Sequence, residues 1–462
     1  MGEIMVVFSV FFTIIIKERK NKGLRVRIAE NIRPPFAVRL WNQLQNCLYH
    51  PEMELIYDYV TSRNPRHRFD HLPSPEEVAA NFPNPCGWST GMEDCMLNSG
   101  SALDILRLRR EDEGGTREET AFACHLLNGI HRCATVHGRS GFIARGITPR
   151  DGKSCYGNSS RDQFTLAVYG VWRFLRAFPD APEPARRNAR ELLRAVAHYC
   201  EAAVTPERGY DLGRLDGGRA VVSKMWQCDA HEVLRLPMIY AAAFEATGER
   251  HWLNAAKHYA APGVEETLKV TSRECGWDIP IAQVQLSLRF FRESDLFPEL
   301  RRSVSSAMER VTCFARPLLR RQLAAALSFS GDWGTLYENW RLLPMRITPQ
   351  TLSADGHSAI FDGRTYLNPC FGAAYAEPNS YLRSIGNCLT AVLMDDNATL
   401  SSAELVPLRQ ILERVDFSRC SGSGVIQLLH GCQLALHRGF HCLSSDCTTT
   451  KEVLHEEDIY AH

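Results

Sequence analysis

The sequence predicts an all-α fold in which helical hairpins stack side by side and close into a double ring. Apolar residues recur at helical spacing along most of the chain, and segments with the alternation of strands are nearly absent. Short turns alternate with long loops rich in Gly, Trp and Asp, and these loops recur at roughly 45 to 70 residues. Because one amphipathic hairpin cannot bury its apolar face alone, each must stack on the next, which places the long loops on one rim.

The predicted helices follow one another in chain order. Arg117–His137 is typical, because Leu126, Ile130 and Cys133 fall on one stripe. Ser74, followed by a proline and two acids, predicts another helix N-terminus, since serine caps, proline fits the first turn and acids favour the positive end. The remaining predicted helices are Leu40–His50, Ser101–Arg110, Ser159–Phe178, Pro184–Val204, His231–Gly248, Glu249–Pro262, Ile281–Arg292, Phe297–Phe314, Tyr381–Met394, Ala403–Val415 and Gly424–Arg438.

Composition limits the class of partner. Lysine plus arginine number 53, as do aspartate plus glutamate, so a global basic field for nucleic acid is excluded. The 16 cysteines form no CxxC pair and indicate buried free thiols in a reducing compartment. His357 with Asp355 and Asp362 matches no standard metal site, so we predict neither a metal nor a cofactor. The oligomeric state stays open.

The N-terminal stretch Ile4–Ile16 is almost wholly apolar and is followed by the basic run KERKNK. It is shorter than the roughly 20 apolar residues that span a bilayer, and it lacks the flanks of a signal peptide. We expect no firm membrane partner and a cytoplasmic protein, with a membrane-anchored or exported form as the alternative. The predicted divisions are an extension at 1–23, a helical segment packing on the ring at 24–83, the ring at 84–443, and a polar tail at 444–462.

The loop Gly141–Asp162, GFIARGITPRDGKSCYGNSSRD, is a predicted rim loop crowded with reactive side chains. A long polar loop within a helical domain is usually functional or disordered, and its aromatic and glycine content argues against disorder. Its arginines present planar donor forks that suit a carboxylate. The loop therefore favours an anionic ligand such as an acidic sugar.

The hairpin ATGERHWLNAAKHYAA (Ala246–Ala261) resembles the hairpin signature of the six-hairpin glycosidases, which are (α/α)6-type toroids of carbohydrate-active enzymes. The loops containing GWSTGMED, SSRDQ and CGWD are similar in style to the catalytic rim of that superfamily. The resemblance covers Pro85–Gly439 and assigns no single family. It implies a carbohydrate substrate and a catalytic site among the rim loops.

Hydrolysis of a glycosidic bond needs one protonated and one ionised carboxyl group. We expect Asp162 to be the first catalytic carboxylate, with Asp94 and Asp278 as candidates for its partner. Asp229 and Asp332 are further rim carboxylates. The predicted substrate-binding residues are Trp88, Glu93, Arg145, Tyr156, Asn158, Arg161, Trp226, His231 and Trp277.

Three other functions stay open beside a glycoside hydrolase acting on a uronate-containing polysaccharide or oligosaccharide. A polysaccharide lyase would neutralise the uronate with arginine or asparagine and remove a proton with Tyr156 or His231. A sugar epimerase could use a similar toroid. A helical-repeat binding scaffold would need no catalytic pair, but the long rim loops argue against it.

Overall fold

α-Helices make up nearly all of the regular structure in the residues that the computed structural model describes, 33–220, 223–346 and 367–443. The predicted all-α class is confirmed for these residues. The described residues from Arg33 onward belong to one compact unit. The apolar stretch Ile4–Ile16, the tail at 444–462 and the group around His357 lie outside the described residues. No helix in the described ranges has the length and apolarity to cross a membrane.

Thirteen α-helices are described, and four two-residue strands pair as β1 with β2 and β3 with β4, both antiparallel. The helices are α1 Pro35–Gln43, α2 Pro75–Ala79, α3 Cys95–Glu113, α4 Arg117–Cys133, α5 Arg161–Ala177, α6 Glu183–Ala203, α7 Arg235–Thr247, α8 Arg250–Thr267, α9 Asp278–Glu293, α10 Arg301–Ser328, α11 Ala373–Leu393, α12 Ser402–Arg414 and α13 Gly424–His437. The strands are β1 Tyr49–His50, β2 Leu55–Ile56, β3 Met345–Arg346 and β4 Asn368–Pro369.

The helices form two sets that differ in burial. The inner helices, α3, α5, α7, α9, α11 and α13, pack on one another in that order, and α13 also packs on α3. Buried residues lie on all sides of α5 and α13, as expected of a helix surrounded by others. The remaining long helices, α4, α6, α8, α10 and α12, each keep an exposed face and pack against inner or neighbouring helices.

Glycines allow the closest contacts between inner helices. A Cβ on Gly100 of α3 would lie 2.1 Å from the carbonyl oxygen of Leu166 on α5. A Cβ on Gly386 of α11 would lie 2.0 Å from the carbonyl carbon of Gln427 on α13. Because no larger residue fits either position, both helix pairs depend on glycine at the contact.

Several predicted boundaries move in the structure. The cap at Ser74 is confirmed, because its side chain and that of Glu77 form a reciprocal capping box. The helix predicted over 297–314 instead spans 301–328 and continues through Pro317. The helix predicted from Tyr381 begins at Ala373 and contains Pro378. Proline disfavours a helix interior but does not forbid it, since packing on neighbouring helices offsets the lost hydrogen bond.

The start of α7 moves in the other direction, with a consequence for the site. The sequence predicts a helix from His231, but α7 begins at Arg235. Residues 231–234 form a turn instead. His231 and Glu232 therefore lie in the turn before α7 and not on a face of that helix.

Candidate functional site

A cavity of about 870 Å³ opens where the starts of α5, α7 and α9 meet the loop before α3. Its volume lies within the range of sites for small molecules, roughly 300–1,000 Å³. The positive ends of these helix dipoles lie at the cavity and favour anionic groups there. The lining residues are Trp88, Glu93, Asp94, Arg145, Arg161, Asp162, Asp229, His231, Glu232, Arg235, Thr271, Arg273, Glu274, Trp277, Ile279, Pro280, Asn368 and Arg383.

Most of the predicted site residues share this cavity, although they come from four separate stretches of sequence. Those that line it are Trp88, Glu93, Asp94, Arg145, Arg161, Asp162, His231 and Trp277. Trp277 is the most open of them, with 59% of its surface exposed. The loops containing GWSTGMED, SSRDQ and CGWD therefore lie around one space.

Asp278 is placed behind the cavity wall, although the sequence makes it a catalytic candidate. It is buried, and its Oδ2 accepts a hydrogen bond of 2.8 Å from Nδ2 of Asn387 on α11. The Nε of Arg383 lies 3.5 Å from the same oxygen. Asp278 thus connects the start of α9 to α11, and its neighbours Trp277 and Ile279 line the cavity instead.

Three predicted substrate-binding residues also lie outside the lining. The hydroxyl of Tyr156 donates to the carbonyl oxygen of Phe82, and the ring is 1% exposed. Asn158 is buried, and its Nδ2 lies 3.2 Å from Sγ of Cys86. Trp226 packs edge-on against Tyr259, with ring centroids 4.7 Å apart. These three side chains therefore pack their loops against the rest of the protein and do not line the cavity.

Glu93 and Asp94 line one side of the cavity, and with Asp58, which lines an adjoining space, they form what we define as the acid cluster. The Asp58 carboxylate accepts hydrogen bonds from the backbone amides of Glu93 at 2.8 Å and Asp94 at 3.2 Å. It also accepts one from Nδ2 of Asn98 at 2.9 Å. Asp58 therefore holds the turn before α3. Asp94, the N-cap residue of α3, makes no side-chain cap and instead accepts from Nε2 of Gln163 at 2.8 Å.

The acid cluster has little positive charge to offset it. Burial, together with the charge of Asp94, raises the pKa of Glu93 to about 7. Burial also raises the pKa of Asp94, although Arg145, with Nη1 3.8 Å from Oδ1, opposes the shift. The pKa of Asp58 is raised well above its usual value by burial and by its two acidic neighbours. The cluster therefore holds a proton near neutral pH.

The facing wall is an arginine cluster, which we define as Arg161, Glu232 and Arg235. Nε of Arg161 lies 3.0 Å from Oε2 of Glu232, and Arg235 pairs with the same oxygen. Burial alone would raise the pKa of Glu232, but Arg235 and Arg161 hold it well below its usual value. Arg235 also forms an ion pair with Asp162. Asp162 thus reaches the cavity as the partner of a buried guanidinium.

His231 extends the arginine cluster toward the cavity mouth. Its Nε2 lies 2.9 Å from Oε1 of Glu232, and its Nδ1 lies 3.8 Å from Oε1 of Glu274. That Nδ1 is buried and has no hydrogen-bond partner among the described residues. Glu274 accepts from the backbone amide of Ala230 at 2.9 Å, which connects the mouth loop to the turn before α7.

Sequence reasoning missed Asp58, Glu232, Arg235, Glu274 and Arg383. A signal for two of them was present, since the run DAHEVLR places four polar or charged residues at the boundary between a loop and a helix. Arg383 had none, because it lies within a segment that is otherwise typical of a core helix. Asp58 comes from a connector far from the rim loops in sequence.

A smaller chamber of about 180 Å³ adjoins the cavity. Glu93, Asp94 and Arg383 line both spaces, so the acid cluster lies at their junction. Tyr59 and Tyr337 form part of the chamber wall and stack at a centroid distance of 4.5 Å. The two spaces can hold a ligand that has both hydroxyl groups and ring faces. The acid cluster at their junction can exchange a proton with that ligand.

No protein-family model matches the sequence, and no curated protein shows significant similarity to it.

Proposed function

We propose that the chain is an (α/α)6 toroid that hydrolyses a glycosidic bond in a saccharide containing a uronic acid. The toroid is supported by the succession of contacts among the inner helices, which returns from α13 to α3. In this proposal α4, α6, α8, α10 and α12 belong to the outer ring, and α1, which packs on α13, completes it. The six N-terminal ends of the inner ring and their loops would then surround the cavity.

The pairing of Glu93 with Asp162 carries the catalytic proposal. Glu93, with a pKa of about 7, can donate a proton near neutral pH. Asp162 lines the same cavity and forms an ion pair with Arg235. Glycoside hydrolysis requires a proton donor and a second carboxyl group in one site, and these two residues supply them.

The roles follow from these surroundings. Glu93 serves as the general acid that protonates the leaving oxygen, and Asp162 serves as the carboxylate that acts on the opposite face of the sugar. Asp94 and Asp58 are positioning residues, because the charge of Asp94 raises the pKa of Glu93 and Asp58 accepts a hydrogen bond from the backbone amide of Glu93. Asp278 has no catalytic role in this proposal.

Recognition of an acidic sugar rests on fewer arginines than the sequence suggests. Arg161 and Arg235 are already paired with Glu232, and Arg145 lies beside Asp94. Arg383 lies at the junction of the two spaces, and its Nε is 3.5 Å from Oδ2 of Asp278. Arg273 lines the exposed mouth and forms no ion pair within the described part of the chain. We assign the substrate carboxylate to Arg273 and the sugar face to Trp277.

The experiment measures reducing-end release from uronate-containing oligosaccharides and from their neutral counterparts. We expect Glu93→Gln and Asp162→Asn each to lower turnover by about 10²–10⁴-fold, the usual contribution of acid–base catalysis. Asp332→Asn is the matched control, since Asp332 is a half-exposed rim carboxylate outside this cavity. Full activity in both cavity variants would remove this pair from the mechanism, and no release from any acidic substrate would remove the hydrolase.

A lyase is the second candidate, and His231 supports it. A lyase base must reach the cavity, and the unpartnered Nδ1 of His231 belongs to a lining residue, whereas Tyr156 lies outside the lining. Elimination leaves a C4–C5 double bond with ultraviolet absorbance, while hydrolysis does not. Absorbance that disappears in His231→Gln but persists in Glu93→Gln would favour the lyase. A sugar epimerase or a binding scaffold would release no new chain ends at all.

A further inference from the structure

His198, Glu201 and His251 form a cluster on the surface where α6 meets α8. One ligand atom from each residue lies within 4.8 Å of the other two. About half of each side chain is exposed, so a solvated ion can reach all three. None of them belongs to the cavity or to its acid and arginine clusters.

The two helices bring these ligands together. His198 and Glu201 are three positions apart on α6 and therefore project from one face of it. Nδ1 of His198 lies 3.8 Å from Oε2 of Glu201. His251 comes from the first turn of α8, so the group joins two hairpins of the chain.

Trp252 restricts the two imidazole rings. It is fully buried and stacks on Tyr240, with centroids 5.9 Å apart. The ring of His198 meets it edge-on at 4.6 Å, and the ring of His251 lies at 3.9 Å. Rings held in this way lose less conformational freedom on binding an ion than free surface histidines would.

The donor set indicates the class of ion. Two imidazoles and one carboxylate are ligands that suit zinc and similar transition metals, whereas magnesium and calcium prefer oxygen alone. Zinc–nitrogen bonds of about 2.1 Å would place tetrahedral ligands about 3.4 Å apart, which half-exposed side chains reach by small rotations. Nearby, the charge of Arg194 is balanced by Glu249, whose Oε1 lies 2.9 Å from Nε of Arg194. Glu201 therefore gives the cluster a negative charge.

We propose that His198, Glu201 and His251 bind a zinc-type divalent cation that ties α6 to α8, with water in the remaining coordination position. Glu249 supports the site from outside the ligand set, because its Oε2 lies 3.9 Å from Nδ1 of His251. The ion contributes to stability, since it binds the folded chain and joins two elements that separate on unfolding.

Titration of the full chain with Co²⁺, followed by competition with Zn²⁺, tests the site. We expect one equivalent of visible d–d absorption without the near-ultraviolet band of thiolate ligands, which separates this site from the exposed Cys313 and Cys442. His198→Ala and His251→Ala should each weaken Co²⁺ binding by at least about tenfold. The control is His125→Ala, because within the described ranges His125 forms its one ion pair with Glu54, at 2.6 Å.

Two further readouts make the result decisive. Cu²⁺ at the site should quench the fluorescence of Trp252, so Trp252→Phe should reduce the quenching while Co²⁺ absorption remains. Zn²⁺, but not Mg²⁺, should raise the thermal midpoint of the unaltered chain and leave that of His251→Ala unchanged. Binding that persists in both histidine variants, or no saturable Co²⁺ absorption, would overturn the proposal.

Discussion

The carboxyl groups at the start of helix α3 and the one farther along it have opposite electrostatics. At its start lies the acid cluster, in which burial raises the pKa of Glu93 to about 7. Farther along the same helix, Asp104 is fully buried among Arg107 at 2.8 Å, Arg173 at 3.3 Å and Nε2 of His430 at 2.8 Å. Burial alone would raise the pKa of Asp104, but these cations hold it far below its usual value.

The difference is one of counter-charge, because Asp104 is more deeply buried than Glu93 and Asp94 and yet has a lowered pKa. Asp104 has two arginines within ion-pair distance, whereas Arg145 is the one cation within that distance of Asp94 among the described residues. A carboxylate that is charged at every physiological pH can hold helices together but cannot exchange a proton. A buried carboxyl group with little positive charge nearby destabilises the fold when it is ionised, but it can exchange a proton near neutral pH. Under the proposed function, Asp104 stabilises the packing of α3 and the acid cluster supplies the catalytic proton.

The largest expected effect is the loss of stability in Asp104→Ala. The substitution removes the buried carboxylate that Arg107 and Arg173 share, although Glu111 and Glu293 still pair with them. Removing one partner of a buried ion pair costs about 3–5 kcal/mol. We expect this loss in urea denaturation at pH 7. Because the folded-state pKa of Asp104 is lowered, its contribution is present above the unfolded value near 4 and is lost as the pH falls below it.

The control for that prediction is Asp332→Asn, which breaks an exposed pair with Arg419 and should cost at most about 1 kcal/mol. If Asp104→Ala is no more destabilising than this control, the buried cations do not need Asp104. The proposed division between the two ends of α3 would then be wrong.

Glu93→Gln should change stability in the opposite direction. The raised pKa of Glu93 means that the folded state binds more protons than the unfolded state between about pH 4.5 and 7, so the unaltered chain loses stability as the pH rises through that window. Glutamine is neutral and can still accept the 2.8 Å hydrogen bond from the amide of Ser89. We expect the variant to be more stable at pH 8 by about 1–3 kcal/mol.

The measurement compares urea midpoints of Glu93→Gln and the unaltered chain at pH 5 and pH 8. The gain should be small at pH 5, where Glu93 is already protonated, and full at pH 8. Equal gains at both values would attribute the effect to packing instead of charge. A loss at pH 8 would show that the carboxylate form stabilises the fold.

Much of the helical architecture follows from sequence because hydrophobic periodicity is local. Arg117–His137 and Ser159–Phe178 were predicted within a few residues of α4 and α5. The errors at α10 and α11 arose at Pro317 and Pro378, where local propensity indicates a break that tertiary contacts override. Whether a series of hairpins closes into a ring is decided by long-range packing, which periodicity does not report.

The loops that form the site were predictable from the sequence, but the charged partners of their side chains were not. The residue types in the rim loops correctly predicted that Asp94, Asp162 and His231 lie in one site. The partners that set their protonation, Asp58 and Arg235, are distant in sequence, and a pairing such as Arg235 with Asp162 exists only after folding. Loop aromatics that bind ligands and those that pack the loop have the same local sequence, so Trp277 and Trp226 could not be told apart.

The smallest effect concerns Arg145, the cation nearest to Asp94. Its positive charge lowers the pKa of Glu93 and Asp94, so Arg145→Gln should raise both and move the alkaline limb of kcat/KM upward by about one pH unit. Glutamine keeps a donor for the backbone carbonyl of Glu93, which lies 3.1 Å from Nη1 of Arg145 in the unaltered chain.

The matched control is Lys153→Gln, because Lys153 is an exposed loop cation outside the cavity lining. This variant should leave the alkaline limb of kcat/KM in place. A pH profile on the best uronate-containing substrate makes the measurement, and ¹³C NMR titration of the glutamate carboxyls follows the same shift without substrate. An unchanged limb in Arg145→Gln would mean that the titrating acid lies outside the acid cluster, because a charge this close to Asp94 cannot be removed without altering its proton affinity.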